Sequence, residues 1–369
     1  MIALSHGRTQ TRQSMPGPWL EDALVGSILG TAIGDSIGLP YEGLSRRRGA
    51  TLLGAPDRHR LFFGSGMVSD DTEQTCLVAQ ALIESVDDVD QFQRRLLRRL
   101  QRWFLTIPAG VGLGTSRALS KSLVGFPPQR CGVFSAGNGP AMRSAILGAA
   151  IDDTRLLLKL TKASCTLTHT DPKAIFGAFA VALAARLARE ETLTEPKQYL
   201  ATVQEALHEE SASEFLVLLT AMTQSVSRGE STTDFAGAAG MPQKVTGYVY
   251  QTVPVALHAW LTHQTDFRQA IVSVVRCGGD TDTTAAIVGG IVGCHVGKRG
   301  IPDDWLSGLL EWPRTPAWME RLALQLARVI STRQRELAVS LPLAGVLARN
   351  AAFLSIVLAH GFRRLLPPY

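Results

Sequence analysis

The chain has 369 residues, of which 46% are hydrophobic and 19% charged, so it can bury a sizeable core and is not a disordered chain. Its formal net charge of +5 is a local excess, carried largely by Arg46-Arg47-Arg48 and the stretch from Arg94 to Arg102. With no RNP-like, zinc-finger or helix-turn-helix signature beside them, these arginines read as solvated helix faces, and no nucleic-acid partner is expected.

Met1 to Pro18 is polar with scattered arginines and lacks the apolar core of a secretory signal. The five cysteines (Cys76, Cys131, Cys165, Cys277 and Cys294) are odd in number and widely spaced, with no CxxC pair. Reduced thiols in a cytoplasmic protein follow. Residues 1–19 are expected to be an N-terminal extension, 20–330 a single catalytic domain, and 331–369 a C-terminal helical extension docked on it.

Apolar residues then recur at helical spacing. Glu21 to Leu39 reads as a helix rich in small residues, with Gly30, Gly34 and Gly38 at four-residue steps that permit close helix packing. Thr72 to Val86 repeats the period through Leu77, Ala81 and Leu82. Gln91 to Phe104 places Phe92, Leu96, Leu100 and Phe104 on one face with arginines opposite. Pro172 to Glu191 opens with proline at a first helical position. Gln198–Leu207, Ala212–Val226, Val253–Thr262 and Thr283–Val296 complete the series. Ile271 to Val275 is the one β-branched cluster, and its flanks suit a helix end equally well. An all-α fold follows, a compact set of many helices joined by Gly- and Pro-containing loops. Leu337 to Phe362 is strongly apolar but broken by Pro342 and Arg349-Asn350, which favours a docked pair of helices over a membrane span.

Chemistry concentrates in a few short segments. Ser69-Asp70-Asp71-Thr72 sits where a loop enters a helix, and Asp70 with Glu73 has capping-box spacing. Adjacent carboxylates flanked by hydroxyls are equally a set of hard oxygen ligands for a divalent cation. Gly278-Gly279-Asp280-Thr281-Asp282-Thr283 is a second acidic turn opening onto an apolar helix. If the two segments meet, four carboxylates share one site, and their repulsion calls for a compensating cation. Asp35 is either a buried hydrogen-bonding residue or a group behind the site, and Glu42 follows on a loop. Ser135-Ala136-Gly137-Asn138-Gly139-Pro140 precedes a helix containing Arg143 and suits anion binding through free amides. Thr168-His169-Thr170-Asp171-Pro172 also leads into a helix.

Taken in order, Gly34-Asp35 with Glu42, Ser69 to Thr72, Gly137-Asn138-Gly139 with Met142-Arg143, Thr168-His169 with Pro172, Thr246-Gly247-Tyr248, and Gly279 to Thr283 resemble the motifs of the ADP-ribosyl glycohydrolases. That is the family related to dinitrogenase-reductase-activating glycohydrolase, and the resemblance spans roughly residues 21 to 300. It implies an all-α fold with two Mg²⁺ ions, or Mn²⁺ in their place, in a dinuclear metal cleft that takes ADP-ribose. Carried over by position, Ser69, Asp70, Asp71, Asp280, Asp282 and Thr283 would be the metal ligands. Glu42, Asp71 and Asp282 would be the catalytic carboxylates. Ser135, Gly137, Asn138, His169 and Tyr248 would bind the substrate. Where arginine-cleaving members carry an acid in an Asp-Ile-Gly motif, this chain has Ala109-Gly110-Val111-Gly112. Glu42 or a metal-held carboxylate is then the candidate general base.

The implied activity is hydrolysis of the ribose–side-chain bond of an ADP-ribosylated protein, arginine favoured, with no membrane partner. An alternative is an immunity protein that blocks an ADP-ribosyltransferase toxin through Met1 to Trp19. Asp280-Thr281-Asp282-Thr283-Thr284 also fits the DxDxT pattern of aspartate-nucleophile phosphatases, which would require a parallel sheet with Asp280 at a strand tip.

Overall fold

Glycine spacing in the first helix decides the architecture. The computed structural model describes residues 18–207 and 210–363, and its two central helices are Pro18–Gly38 and Thr281–Val296. They run antiparallel with backbones in contact. A Cβ built on Gly26 would lie 2.0 Å from the Gly293 carbonyl oxygen, on Gly30 2.1 Å from that of Gly289, and on Gly34 2.0 Å from that of Ala285. Only hydrogen fits at these positions. Both helices are apolar on all sides, as elements at the centre of a layered helical fold must be. The helices Asp70–Ser85, Ala145–Ala150, Pro172–Ala188, Val249–Thr262, Phe267–Val275 and Pro316–Thr332 surround the pair.

Because the pair is antiparallel, the C-terminal end of the first helix lies beside the start of the Thr281 helix, where Thr281 Oγ1 donates to Gly38 O at 2.8 Å. Two acidic regions some 240 positions apart are thereby brought to one end of the fold. Gly30→Ala is expected to cost about 1–3 kcal/mol through overpacking. Gly237→Ala, where an added Cβ meets nothing within 4 Å, should be neutral or slightly stabilising. Urea midpoints of the two variants test this, and equal midpoints would contradict the close-packing account.

Among the described residues regular structure is entirely helical, with only isolated bridges such as Val133 with His169 and Val245 with Gly279. The DxDxT phosphatase chemistry, which needs a parallel strand, is therefore excluded. Ile271 to Val275, whose flanks suited a helix end, lies in the helix Phe267–Val275, where packing on the Thr281 helix outweighs β-branched propensity. Two expectations require correction. The helix expected from Val253 begins at Val249 and carries Pro254 inside it. The apolar C-terminus is one helix, Leu343–Arg363, rather than a pair; Pro342 precedes it, and Arg349 and Asn350 point into the core instead of breaking it.

The five cysteines are free and buried. Residues 19–41 and 343–362 are each long and apolar enough to cross a membrane, and residues 23–41 of the first stretch are buried by protein. Of the segment Met1 to Trp19 of the immunity reading, residues 1–17 lie outside the described ones, and Pro18 and Trp19 begin the first helix.

Candidate active site

Asp35 anchors the first acidic segment. Its fully buried carboxylate accepts from Ser69 N at 2.9 Å, from Thr72 N at 3.2 Å and from Thr72 Oγ1 at 2.5 Å. It thereby serves as a capping group for the Asp70–Ser85 helix from a different part of the chain. The local N-cap is Ser69. Asp70 and Asp71 are thus released from capping duty, and the capping-box reading of Asp70 with Glu73 does not hold. Glu73 turns the other way, into a buried cluster where it meets Trp103 Nε1 at 2.6 Å and Arg314 Nη1 at 2.8 Å.

Two left-handed glycines shape the second segment. Gly278 has φ +68° and Gly279 φ +87°, and a Cβ on Gly279 would fall 1.8 Å from the Val245 carbonyl oxygen. A side chain is excluded there on both counts. The close approach knits three loops together. Gly43 N donates to Gly279 O at 2.6 Å, Gly279 N to Leu44 O at 2.7 Å, and Asp280 N to Val245 O at 2.9 Å. Glu42 and the Lys244–Gly247 loop are placed in this way beside the acidic turn.

The result is a cleft of about 510 Å³, lined by Glu42, Asp70, Asp280, Asp282 and Thr283 on one side and by Ser135, Gly137, Asn138 and His169 on the other. A larger groove of about 750 Å³ lies against the C-terminal helix, but no acidic residue lines it. Asp71 sits just behind the cleft wall, where its Oδ2 accepts from Ser69 Oγ at 2.9 Å and from Thr283 Oγ1 at 3.4 Å. Burial, followed by the charges of neighbouring carboxylates, pushes Asp70, Asp71 and Asp282 well above the usual carboxylate range. Asp35 is raised to about 7, by burial against the opposing pull of its hydrogen bonds.

Asp71 Oδ1 and Asp282 Oδ1 are buried without a hydrogen-bond partner. Such orphaned oxygens are costly unless a proton or cation satisfies them. Together with the hard-oxygen donor set they fit a divalent ion. The groups ring the pit rather than closing on one point: among the described residues no three His, Cys, Asp or Glu side chains converge as a ready-made cage.

Asn138 bridges the two walls. Its side-chain nitrogen donates to Asp280 Oδ2 at 2.6 Å and to Thr252 Oγ1 at 3.0 Å. Its backbone N–H is already held by Gly247 O at 3.0 Å, so Oδ1 is the side-chain group left for a ligand. The single helix expected after Asn138 is two short ones, Gly139–Met142 and Ala145–Ala150, with Arg143 between them. A free helix start for an anion is correspondingly reduced.

The glycines of this wall have a different use. Cβ atoms on Gly114, Gly137 and Gly139 would lie 2.8 to 3.1 Å from the His169 ring. The glycines therefore make room for the imidazole at the cleft surface. Tyr248 caps the following helix but does not line the cavity; its hydroxyl receives Lys173 Nζ at 3.1 Å, and the wall assigned to it is formed by Thr246 and Gly247.

A buried chain ties the two ends of the cleft. Gln74 Nε2 donates to Asp70 Oδ2 at 2.9 Å, and Arg143 Nη1 donates to Gln74 Oε1 at 2.6 Å. Arg143 Nη2 donates to Thr168 Oγ1 at 2.9 Å, which in turn contacts His169 Nδ1 at 2.9 Å. The Thr168 hydroxyl, which also lies 3.4 Å from Cys165 O, fixes the ring through Nδ1 and leaves Nε2 turned toward the cleft. Burial, followed by the Arg143 charge, lowers the His169 pKa to about 3. Gln74 and Lys244 carry no motif signal in the sequence; Lys244 reaches the site because Val245 pairs with the Asp280 turn.

The model of the ADP-ribosylglycohydrolase family matches residues 17–336. The chain belongs to this family. The likeness extends over whole relatives: it is 31% identical to an uncharacterised protein of Archaeoglobus fulgidus, covering 83% of this chain and 96% of that one. It is 26% identical to the ADP-ribosyl-[dinitrogen reductase] glycohydrolase of Rhodospirillum rubrum, covering 80% and 92%. With the human ADP-ribosylhydrolase ARH3 it shares 25% identity over 76% and 87%. A solved structure described as an ADP-ribosylglycohydrolase-related protein complex superposes with a TM-score of 0.64 at 28% identity, covering 85% of this chain and 99% of that one. The chain is accordingly an ADP-ribosyl glycohydrolase with the family's all-α fold.

Proposed function

We propose that this glycohydrolase removes ADP-ribose from a modified protein side chain, arginine favoured, with magnesium held at the acidic end of its cleft. The observation that supports this reading is the meeting of Asp70, Asp71, Asp280 and Asp282 around two orphaned buried oxygens. Ser69, Asp70, Asp71, Asp280, Asp282 and Thr283 would hold the ions. When bound, the metal supplies charge neutralisation and a water of lowered pKa.

The remaining roles fall to the protein. Asn138 positions the Asp280 carboxylate, and its free Oδ1 faces ligand. Neutral His169 presents its Nε2 to the pyrophosphate side of the ligand, so binding energy remote from the bond is used to place the anomeric carbon. Glu42, at the exposed mouth, is the carboxylate placed to take a proton from the attacking water as the oxocarbenium-like ribose forms. In the Asp-Ile-Gly region Gly110 lies near Asp70 and brings no acid, which leaves Glu42 with the general-base role.

Turnover of mono-ADP-ribosylated arginine, serine and O-acetyl-ADP-ribose substrates, with Mg²⁺ and with chelator, tests this reading. Activity on arginine that survives chelation would overturn the metal; activity confined to the other linkages would overturn the preference. A second prediction concerns His169. Replacing it with alanine should raise KM about 10- to 100-fold with a smaller effect on kcat. The wild-type pH profile should show no step from this histidine between pH 5 and 9, given its pKa of about 3. An inflection in that range that disappears in the variant would contradict the role of a neutral His169.

A further inference from the structure

The C-terminal helix Leu343–Arg363 lies beyond the family-matched residues and is docked on one face only. That inner face is fixed by Arg349, whose Nη2 donates to Glu311 Oε2 at 2.9 Å, and by Asn350, whose Nδ2 donates to Thr106 O at 2.9 Å. Phe353 and His360 are buried on the same side. No exposed residue between 342 and 362 is charged. Leu343, Leu347, Ala351, Leu354, Leu358 and Phe362 form a single solvent-facing stripe with steps of 4, 4, 3, 4 and 4 residues. Its leucines and phenylalanine are between 41% and 67% exposed. The spacing repeats every 11 residues, about 3.67 per turn, so the seam drifts only slowly around the helix over its length.

The stripe is also symmetric about its own centre, between residues 352 and 353. Reversing the helix sets Leu343 against Phe362, Leu347 against Leu358, and Ala351 against Leu354. From this we infer that the outer face of the C-terminal helix pairs with the same helix of a second copy, antiparallel about a two-fold axis. An isologous contact requires this self-complementarity, whereas a patch for an unrelated partner does not.

Size agrees. The exposed parts of these six side chains present on the order of 500 Å² of accessible surface per copy, or about 1,000 Å² for the pair, the lower bound for a specific interface. Charge separates this occupant from a lipid surface. An interfacial helix borders its apolar face with cations along its length, whereas Arg349 is on the docked side in a buried ion-pair cluster and the other arginines, Arg363 and Arg364, come in the sequence only after the stripe ends. Crossing a bilayer would tear Arg349 away from Glu73 and Glu311.

Analytical ultracentrifugation of the full chain tests the proposal. The wild type is expected to sediment at twice the 39.8 kDa chain mass. Leu347→Glu should weaken self-association at least about 100-fold while leaving circular dichroism and turnover unchanged. Adding Leu358→Lys to that variant should restore the dimer, because residue 347 of one copy faces residue 358 of the other; parallel pairing would give no rescue. A wild type that is monomeric up to about 100 µM, a Leu347→Glu variant that stays dimeric, or a double variant that stays monomeric would each overturn it. So would a monomer that floats with phosphatidylcholine/phosphatidylglycerol vesicles, which would assign the face to lipid.

Discussion

Asp282→Ala is expected to lose turnover by roughly 10³-fold or more, yet to melt no lower than the wild type when both are measured in chelator. The two halves of this result have one cause. Asp282 is buried among Glu42, Asp280, Asp71 and Asp35, which with burial itself raise its pKa, so without a cation its carboxylate opposes folding. Removing it relieves that repulsion and at the same time removes an oxygen assigned to the ion. Wild-type protein should gain about 2.7 kcal/mol at a magnesium concentration of 100 Kd, and the variant should lose most of that gain. Asp71→Ala should behave alike.

The pH dependence in chelator follows with a definite sign. Asp35 has a folded pKa of about 7 against an ordinary 3.8. Its contribution to stability is fully present below the ordinary value and is lost as pH rises through about 7. Asp70, Asp71 and Asp282 shift in the same direction. Chelated protein should therefore melt progressively lower as pH rises from about 4 through 7, and saturating Mg²⁺ should flatten that slope. A chelated protein whose stability rises across the same window would sink both the repulsion account and the metal assignment.

Arg349→Met carries the second large effect, about 3–5 kcal/mol of destabilisation. Arg349 and Arg314 balance Glu73 and Glu311 in a buried four-charge cluster. Burial pushes Glu73 up, but the two arginines and Trp103 outweigh it and hold it below its ordinary value. Without Arg349, two buried carboxylates share a single cation. The cluster also lies directly behind the first acidic segment: Arg349 donates to Val68 O, and Glu311 Oε2 accepts from Val68 N at 3.2 Å. A weakened Mg²⁺ affinity, measured by calorimetry, should accompany the lower urea midpoint. Lysine at 349 should rescue only in part, since a point charge cannot reproduce the guanidinium fork. A variant within 1 kcal/mol of wild type would refute this role.

Sequence reading worked where the information is local. Apolar spacing located the main helices because a 3.6-residue period is written into each segment. The glycine steps in the first helix foretold its close packing. The family motifs named the acidic segments, the Asn138 loop and His169, and the structure brings them to one cleft. A boundary failed where a tertiary contact overrode propensity, at the start of the Val249 helix. The capping-box reading failed because the carboxylate that caps the Asp70 helix comes from Asp35, on another helix.

By itself, then, the sequence determined the helical class, the acidic segments and the family. Only the tertiary structure decided what each carboxylate is for. Residues Asp35, Asp71, Glu73 and Asp282 are chemically near-identical in a string of letters. Their roles diverge because burial, hydrogen-bond partners and neighbouring charge are properties of the folded environment. Asp35 meets amides and a hydroxyl, Glu73 meets arginines, and Asp71 and Asp282 each keep a buried oxygen with no partner. The C-terminal helix follows the same rule: its period is local, but which face is left uncovered depends on where Arg349 finds its glutamates.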